Sequence, residues 1–206
     1  VRVAVVGVSL ELGQSLLQLL EEKRAHLRQT FELDLQVVAV LPTSESESIW
    51  CLEKDVDGGS DSITIESLQE KSQGDKAMQE AGGLDVLLSR LVRNECTNHV
   101  IFDCTNDEAA GKFHAAWLRA GVDVVTANNT GLSGPKEQRD AIAQAEKALG
   151  KQSAKYLREV TVGGGLPSIN TARTLLETGD KIRRIDGILS VSLSFIMFRI
   201  SPPSNI

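Results

Sequence analysis

The chain has 206 residues, 41% hydrophobic and 24% charged, with a formal net charge of −6, enough for one full domain and part of another. No apolar run approaches the roughly 20 residues of a membrane span, so no membrane partner is expected, and the acidic balance, without interleaved basic and aromatic residues, argues against a nucleic acid. Cys51, Cys96 and Cys104 are odd in number and lack close spacing, so neither a disulfide framework nor a thiolate metal site is expected.

Val3-Ala-Val-Val-Gly7 is an apolar run ending in glycine, followed by Leu12, Leu16, Leu17, Leu19 and Leu20, which predicts strand, turn and helix. Leu35 to Leu41 predicts a second strand and Pro42 to Ser48 a polar loop, completing a βαβ unit. Asp55 to Gly83 reads as loop, short strand and helix on the strength of Ile63, Ile65 and Leu68. Helices are predicted over Leu84 to Val92, Glu108 to Ala120 and Pro135 to Leu149, the last stopped by Gly150, with strands at His99 to Cys104 and Val122 to Thr126. Tyr156 to Val162 reads as a strand, Gly163 to Pro167 as a turn, Ile169 to Glu177 as a helix and Ile182 to Ser194 as a strand with alternating apolar residues. The expected fold is α/β: a doubly wound, mostly parallel sheet over residues 1–155, then the start of an incomplete α+β domain over 156–206.

The turn Gly7-Val-Ser-Leu-Glu-Leu-Gly13 carries the first chemistry. A strand that ends in glycine and enters a helix directs backbone N–H groups toward a pyrophosphate. The outer glycines of the dinucleotide fingerprint are present and the middle one is absent; tight helix packing explains the same glycines without a ligand. The tip of the second strand, Leu41-Pro-Thr43-Ser44 with Glu45 just beyond, has no acid on the strand itself and leaves room for a 2′-phosphate. Cys104 ends a strand expected to be buried, so packing rather than nucleophilic catalysis is its reading. His99 and His114 likewise read as surface or packing residues.

Three further segments follow or end strands at the ligand side of the sheet: Asp103-Cys-Thr-Asn106, Val125-Thr-Ala-Asn128, and Glu159-Val-Thr-Val-Gly-Gly-Gly-Leu-Pro167. With Gly187-Ile-Leu-Ser-Val-Ser-Leu-Ser-Phe-Ile196, Leu175 to Ile182 and Ser133-Gly-Pro135, the chain resembles homoserine dehydrogenase, and in particular the dehydrogenase half of the plant bifunctional aspartate kinase–homoserine dehydrogenases. The resemblance implies a Rossmann-type domain, NADP or NAD as cofactor, and reduction of aspartate 4-semialdehyde to homoserine on the route to threonine, methionine and isoleucine. It implies cofactor contacts at Gly7, Val8, Ser9, Leu12, Gly13, Thr43, Thr105, Asn106, Asn128 and Asn129, and substrate contacts at Ser190 and Ser192. It also implies a monovalent cation such as Na⁺ at Glu159 and the backbones of Val162, Gly164 and Leu166, a homodimer when the protein is complete, and a location in cytoplasm or plastid stroma.

Three departures qualify what the resemblance implies. The family's Lys pair is replaced by Asn129 and Thr130, which removes two cations, each charge-assisted bond being worth about 1.5–3 kcal/mol. Val191 stands where the family has glycine. The family's acid–base Lys and Asp are expected beyond residue 206, so no catalytic residue is assigned; both ends read as trimmed, and a longer gene product is expected. The alternative reading is a truncated or degenerate relative that binds nucleotide, or dimerises through Ile182 to Ile196, without catalysis.

Overall fold

The computed structural model describes residues 1–52, 62–65, 68, 77–92, 98–148 and 154–201. Most of the expected segment between Asp55 and Gly83, together with Cys96 and Gly150, lies outside them. The chain forms two compact units, Val1–Leu157 and Arg158–Ile206.

The first unit is built on β1, Arg2–Val6, in which all five residues are buried. A strand covered on both faces has no use for alternation, hence its unbroken apolar run. It pairs in parallel with β2, Gln36–Leu41, on one side and β5, His99–Asp103, on the other. Beyond β5 come β6, Asp123–Thr126, and the short β7, Tyr156–Leu157, also parallel. Beyond β2, β3 (Ser48–Leu52) and β4 (Ala77–Ala81) run antiparallel. Among the described residues the sheet order is β4-β3-β2-β1-β5-β6-β7. Strand order therefore reverses at β1, and the crevice between the carboxyl ends of β1 and β5 is the topological switch point where such sheets bind ligands.

The helices of this unit are α1, Glu11–Phe31, α2, Leu84–Leu91, α3, Glu108–Arg119, the single turn α4, Thr130–Ser133, and α5, Lys136–Ala148. Val3 and Val5 face α1 through Leu17, while Ala4 and Val6 face a larger core with Leu87, Leu91, Trp117, Leu118 and Ile142. Alternate side chains of one strand thus feed two cores.

Two expected strands differ in the structure. The strand read over Tyr156 to Val162 is cut to β7, which belongs to the first unit, because a 3₁₀ turn follows at Glu159–Thr161. The strand read over Ile182 to Ser194 does not form: residues 181–190 are irregular and Val191–Ile200 is a helix, α7. Ser190 accepts a hydrogen bond from the Leu193 N–H and so starts that helix. No strand of the second unit pairs with this segment among the described residues, and a helix satisfies its backbone groups without a neighbour. The second unit also holds α6, Ser168–Glu177. No helix is long and apolar enough to cross a membrane among the described residues.

Candidate functional site

At the end of β1 the chain turns in the left-handed region at Gly7, φ 91°, a conformation that a side chain strains. A Cβ on Gly13 would stand 2.1 Å from the Gly7 carbonyl oxygen, so only glycine lets α1 seat against the turn. The N–H groups of Gly7 and Val8 donate to the Leu41 carbonyl and that of Ser9 to the Pro42 carbonyl; the exit of β2 therefore holds this turn. Leu10 occupies the N-cap of α1 and offers no capping side chain. The first-turn N–H groups of Glu11 and Leu12 have no intrahelical acceptor by helix geometry, and they lie on an exposed rim with Ser9. The cradle fits a pyrophosphate, with the donors one step further along than the glycine turn itself. Glu11 opposes it by placing a carboxylate at the same end.

On the far side of the crevice a buried network fixes the loops after β5 and β6. Asp103 Oδ1 accepts from the N–H and hydroxyl of Thr105 at 2.9 and 2.7 Å. Its Oδ2 faces His114 Nε2 at 2.8 Å and accepts from Asn128 Nδ2 at 3.1 Å. A carboxylate only accepts here, so His114 donates from Nε2, and its Nδ1 lies 2.9 Å from the Tyr156 hydroxyl. Asn128 Nδ2 also donates to the Asp107 carbonyl, and Asn128 Oδ1 accepts from the N–H and hydroxyl of Thr130. Asp103, Thr105, His114, Thr126 and Asn128 are all buried. Gly131 permits the packing, since a Cβ there would lie 2.7 Å from His114 Nδ1.

The predicted residues therefore divide. Gly7, Val8, Gly13 and Thr43 line or support the β1–β2 side of the crevice; Thr105 and Asn128 are committed to holding its β5–β6 side; Ser9, Leu12, Asn106 and Asn129 are exposed on its rim. Sequence reasoning places Asp103 and Ser44 within their turns and reads His114 as a surface or packing residue, but gives no site role to these or to Tyr156 and Asp107. His114 could have been given one: Ala110, His114, Trp117 and Leu118 share the buried face of α3 at helical spacing. Cys104 has its thiol pushed up to about 12 by burial and by Asp103, which makes it a packing residue and not a nucleophile at neutral pH.

In the second unit Glu159 turns both carboxylate oxygens to the start of α6, accepting from the N–H groups of Ile169 and Asn170 at 3.0 and 2.9 Å. The Leu166 carbonyl accepts from Ser168. The Glu159 carboxylate thus caps α6, and Val162, Gly164 and Leu166 lie in the loop that leads to it. Ser190 caps α7, and Ser192 is exposed in its first turn.

Residues 11–154 match the homoserine dehydrogenase NAD binding domain family. The chain is 34% identical over 195 residues to a chloroplastic bifunctional aspartokinase/homoserine dehydrogenase of Zea mays, covering 94% of this chain and 19% of that protein. It is 36% identical over 197 residues to one of Arabidopsis thaliana, covering 94% and 20%. The chain thus spans about a fifth of the length of these relatives. Among solved structures, a hyperthermophilic archaeal homoserine dehydrogenase in complex with NADPH superposes with TM-score 0.64 at 20% identity, over 100% of this chain and 57% of that one. A Candida auris protein of unknown function gives 0.72 at 23%, over 98% and 50%. These two likenesses show the shared fold. With the glycine cradle, the switch-point crevice and a family match over most of the first unit, the chain belongs to the homoserine dehydrogenase NAD-binding domain family.

Proposed function

We propose that this chain supplies the nucleotide-binding part of a homoserine dehydrogenase, in which the complete protein reduces aspartate 4-semialdehyde to homoserine. The observation that supports this best is the cradle: a left-handed Gly7, a Gly13 with no room for a Cβ, and an uncapped start to α1 at the switch point. The cofactor, when bound, supplies the hydride. The residues of this chain bind and orient: the N–H groups of Glu11 and Leu12 donate to the pyrophosphate, and Asn106 and Asn129 border the nicotinamide end. Thr105 and Asn128 keep those two loops in register. Ser192 is the substrate-side candidate, and a homodimer in stroma or cytoplasm is proposed for the complete protein. A cation at Glu159 belongs to this proposal only if that carboxylate releases α6.

Titration with NADH and NADPH, following Trp50 and Trp117 emission, tests the binding claim: a saturable change is expected, and none would overturn it. Homoserine-dependent reduction of NAD or NADP by the complete protein tests the activity. Binding without turnover would favour a nucleotide binder lacking catalysis. That second reading draws support from Thr130, whose hydroxyl donates to the Asp107 carbonyl where the family has a cation.

A further inference from the structure

Dinucleotide folds read the adenosine ribose at the tip of the second strand, where an acid accepts from the 2′-hydroxyl or a cation holds a 2′-phosphate. β2 ends at Leu41, and the segment from Pro42 to Leu52 contains Glu45 and Glu47 and neither Lys nor Arg. The polar donors of this tip are turned inward. The N–H and hydroxyl of Thr43 each meet Ser46 Oγ at 3.0 Å, and the Ser46 N–H donates to the Thr43 carbonyl. The Ser44 hydroxyl donates to Oδ2 of Asp107, which arrives from the N-cap of α3.

Asp107 is firmly held in that position. Its Oδ1 accepts from the Ala110 N–H at 3.0 Å, and its carbonyl accepts from Asn128 Nδ2 and the Thr130 hydroxyl, each at 2.8 Å. Among the described residues no ion pair involves it. A carboxylate has about four acceptor positions, so two remain for a ligand after Ala110 and Ser44.

Resting on the dinucleotide reading above, we infer that Asp107, brought to the tip of β2 from the N-cap of α3, is the carboxylate that reads the adenosine ribose and makes this chain prefer NAD(H) to NADP(H). A ribose hydroxyl can donate to the free positions of Asp107. A 2′-phosphate would meet its charge at a strand tip whose following loop also carries the exposed Glu45 and Glu47, with the hydroxyls of Thr43 and Ser44 already spent. Unpaired like charges exclude a ligand more effectively than a missing contact does.

Binding of NADH and of NADPH is measured by Trp fluorescence on the full chain and on Asp107→Asn, at low and high salt. Asn keeps the cap of α3, and Asp107→Ser serves if the first variant does not fold by circular dichroism. The wild-type chain should bind NADH at least about tenfold more tightly than NADPH, as like-charge juxtaposition predicts, with the gap narrowing as salt screens it. Asp107→Asn should close the gap, chiefly by tightening NADPH. Equal or tighter binding of NADPH by the wild-type chain, or an unchanged ratio in Asp107→Asn, overturns the role of Asp107 and leaves the cofactor site standing. Saturable binding of neither nucleotide overturns both.

Discussion

Asp103 sits at the end of β5 with its side chain wholly buried, and its environment sets a pH dependence. Burial by itself pushes the carboxyl up, but the hydrogen bond and charge of His114, with the two bonds from Thr105, outweigh it and hold Asp103 below the ordinary Asp value. A carboxyl that titrates lower in the folded than in the unfolded chain adds stability above its unfolded value, and that contribution is lost as pH falls through the folded one. Asp103→Asn should therefore cost about 3–5 kcal/mol at pH 7, the usual consequence of breaking a buried pair. It should also lose less stability than the wild type below about pH 4. Urea melts at pH 7, 4 and 3 check both; an unchanged midpoint at pH 7 would count against the network. The Asp103-x-Thr105 turn was legible in the sequence because its partners are adjacent. Its bonds to His114 and Asn128 were not, because those residues come from elements whose proximity only the fold supplies.

Among the elements, the β1 turn and α1 are joined by contact between two glycines. Gly13→Ala should push α1 away from Gly7, destabilising the chain by about 1–3 kcal/mol as overpacking does and weakening nucleotide binding in the same titration. A variant that melts and binds like the wild type would show that the Gly7–Gly13 approach is not required. The parallel strands β1, β2, β5 and β6 were readable because fully buried strands are continuous apolar runs. β3 and β4 were not: Ser48–Leu52 buries only alternate residues, and Ala77–Ala81 is made of weak strand formers held by pairing with β3. α7 was misread because Val191-Ser-Leu-Ser-Phe alternates like a strand, yet Ser190 caps it and, among the described residues, no strand pairs with it. Alternation alone does not decide between the two when the partner is missing.

At the scale of the whole molecule, the first unit buries its apolar residues in two cores, whereas the second leaves many of its own open. Phe195, Phe198 and Ile200 are 61%, 57% and 76% exposed. Apolar surface of this kind marks an interaction face, so sedimentation velocity should show the full chain associating as concentration rises. Residues 1–157 alone should remain monomeric and bind nucleotide as before; association of the shortened chain to the same extent would place the sticky surface elsewhere. The bonded series from Tyr156 through His114, Asp103 and Asn128 to Thr130 has a thermodynamic consequence for the crevice. Immobilising a side chain at a binding surface costs about 0.5–1.5 kcal/mol, and Thr105 and Asn128 have already given up that freedom on folding. The floor is preorganised, so the entropy lost on binding falls on the exposed rim of Ser9, Leu12, Asn106 and Asn129, where rigidifying substitutions have the most affinity to add.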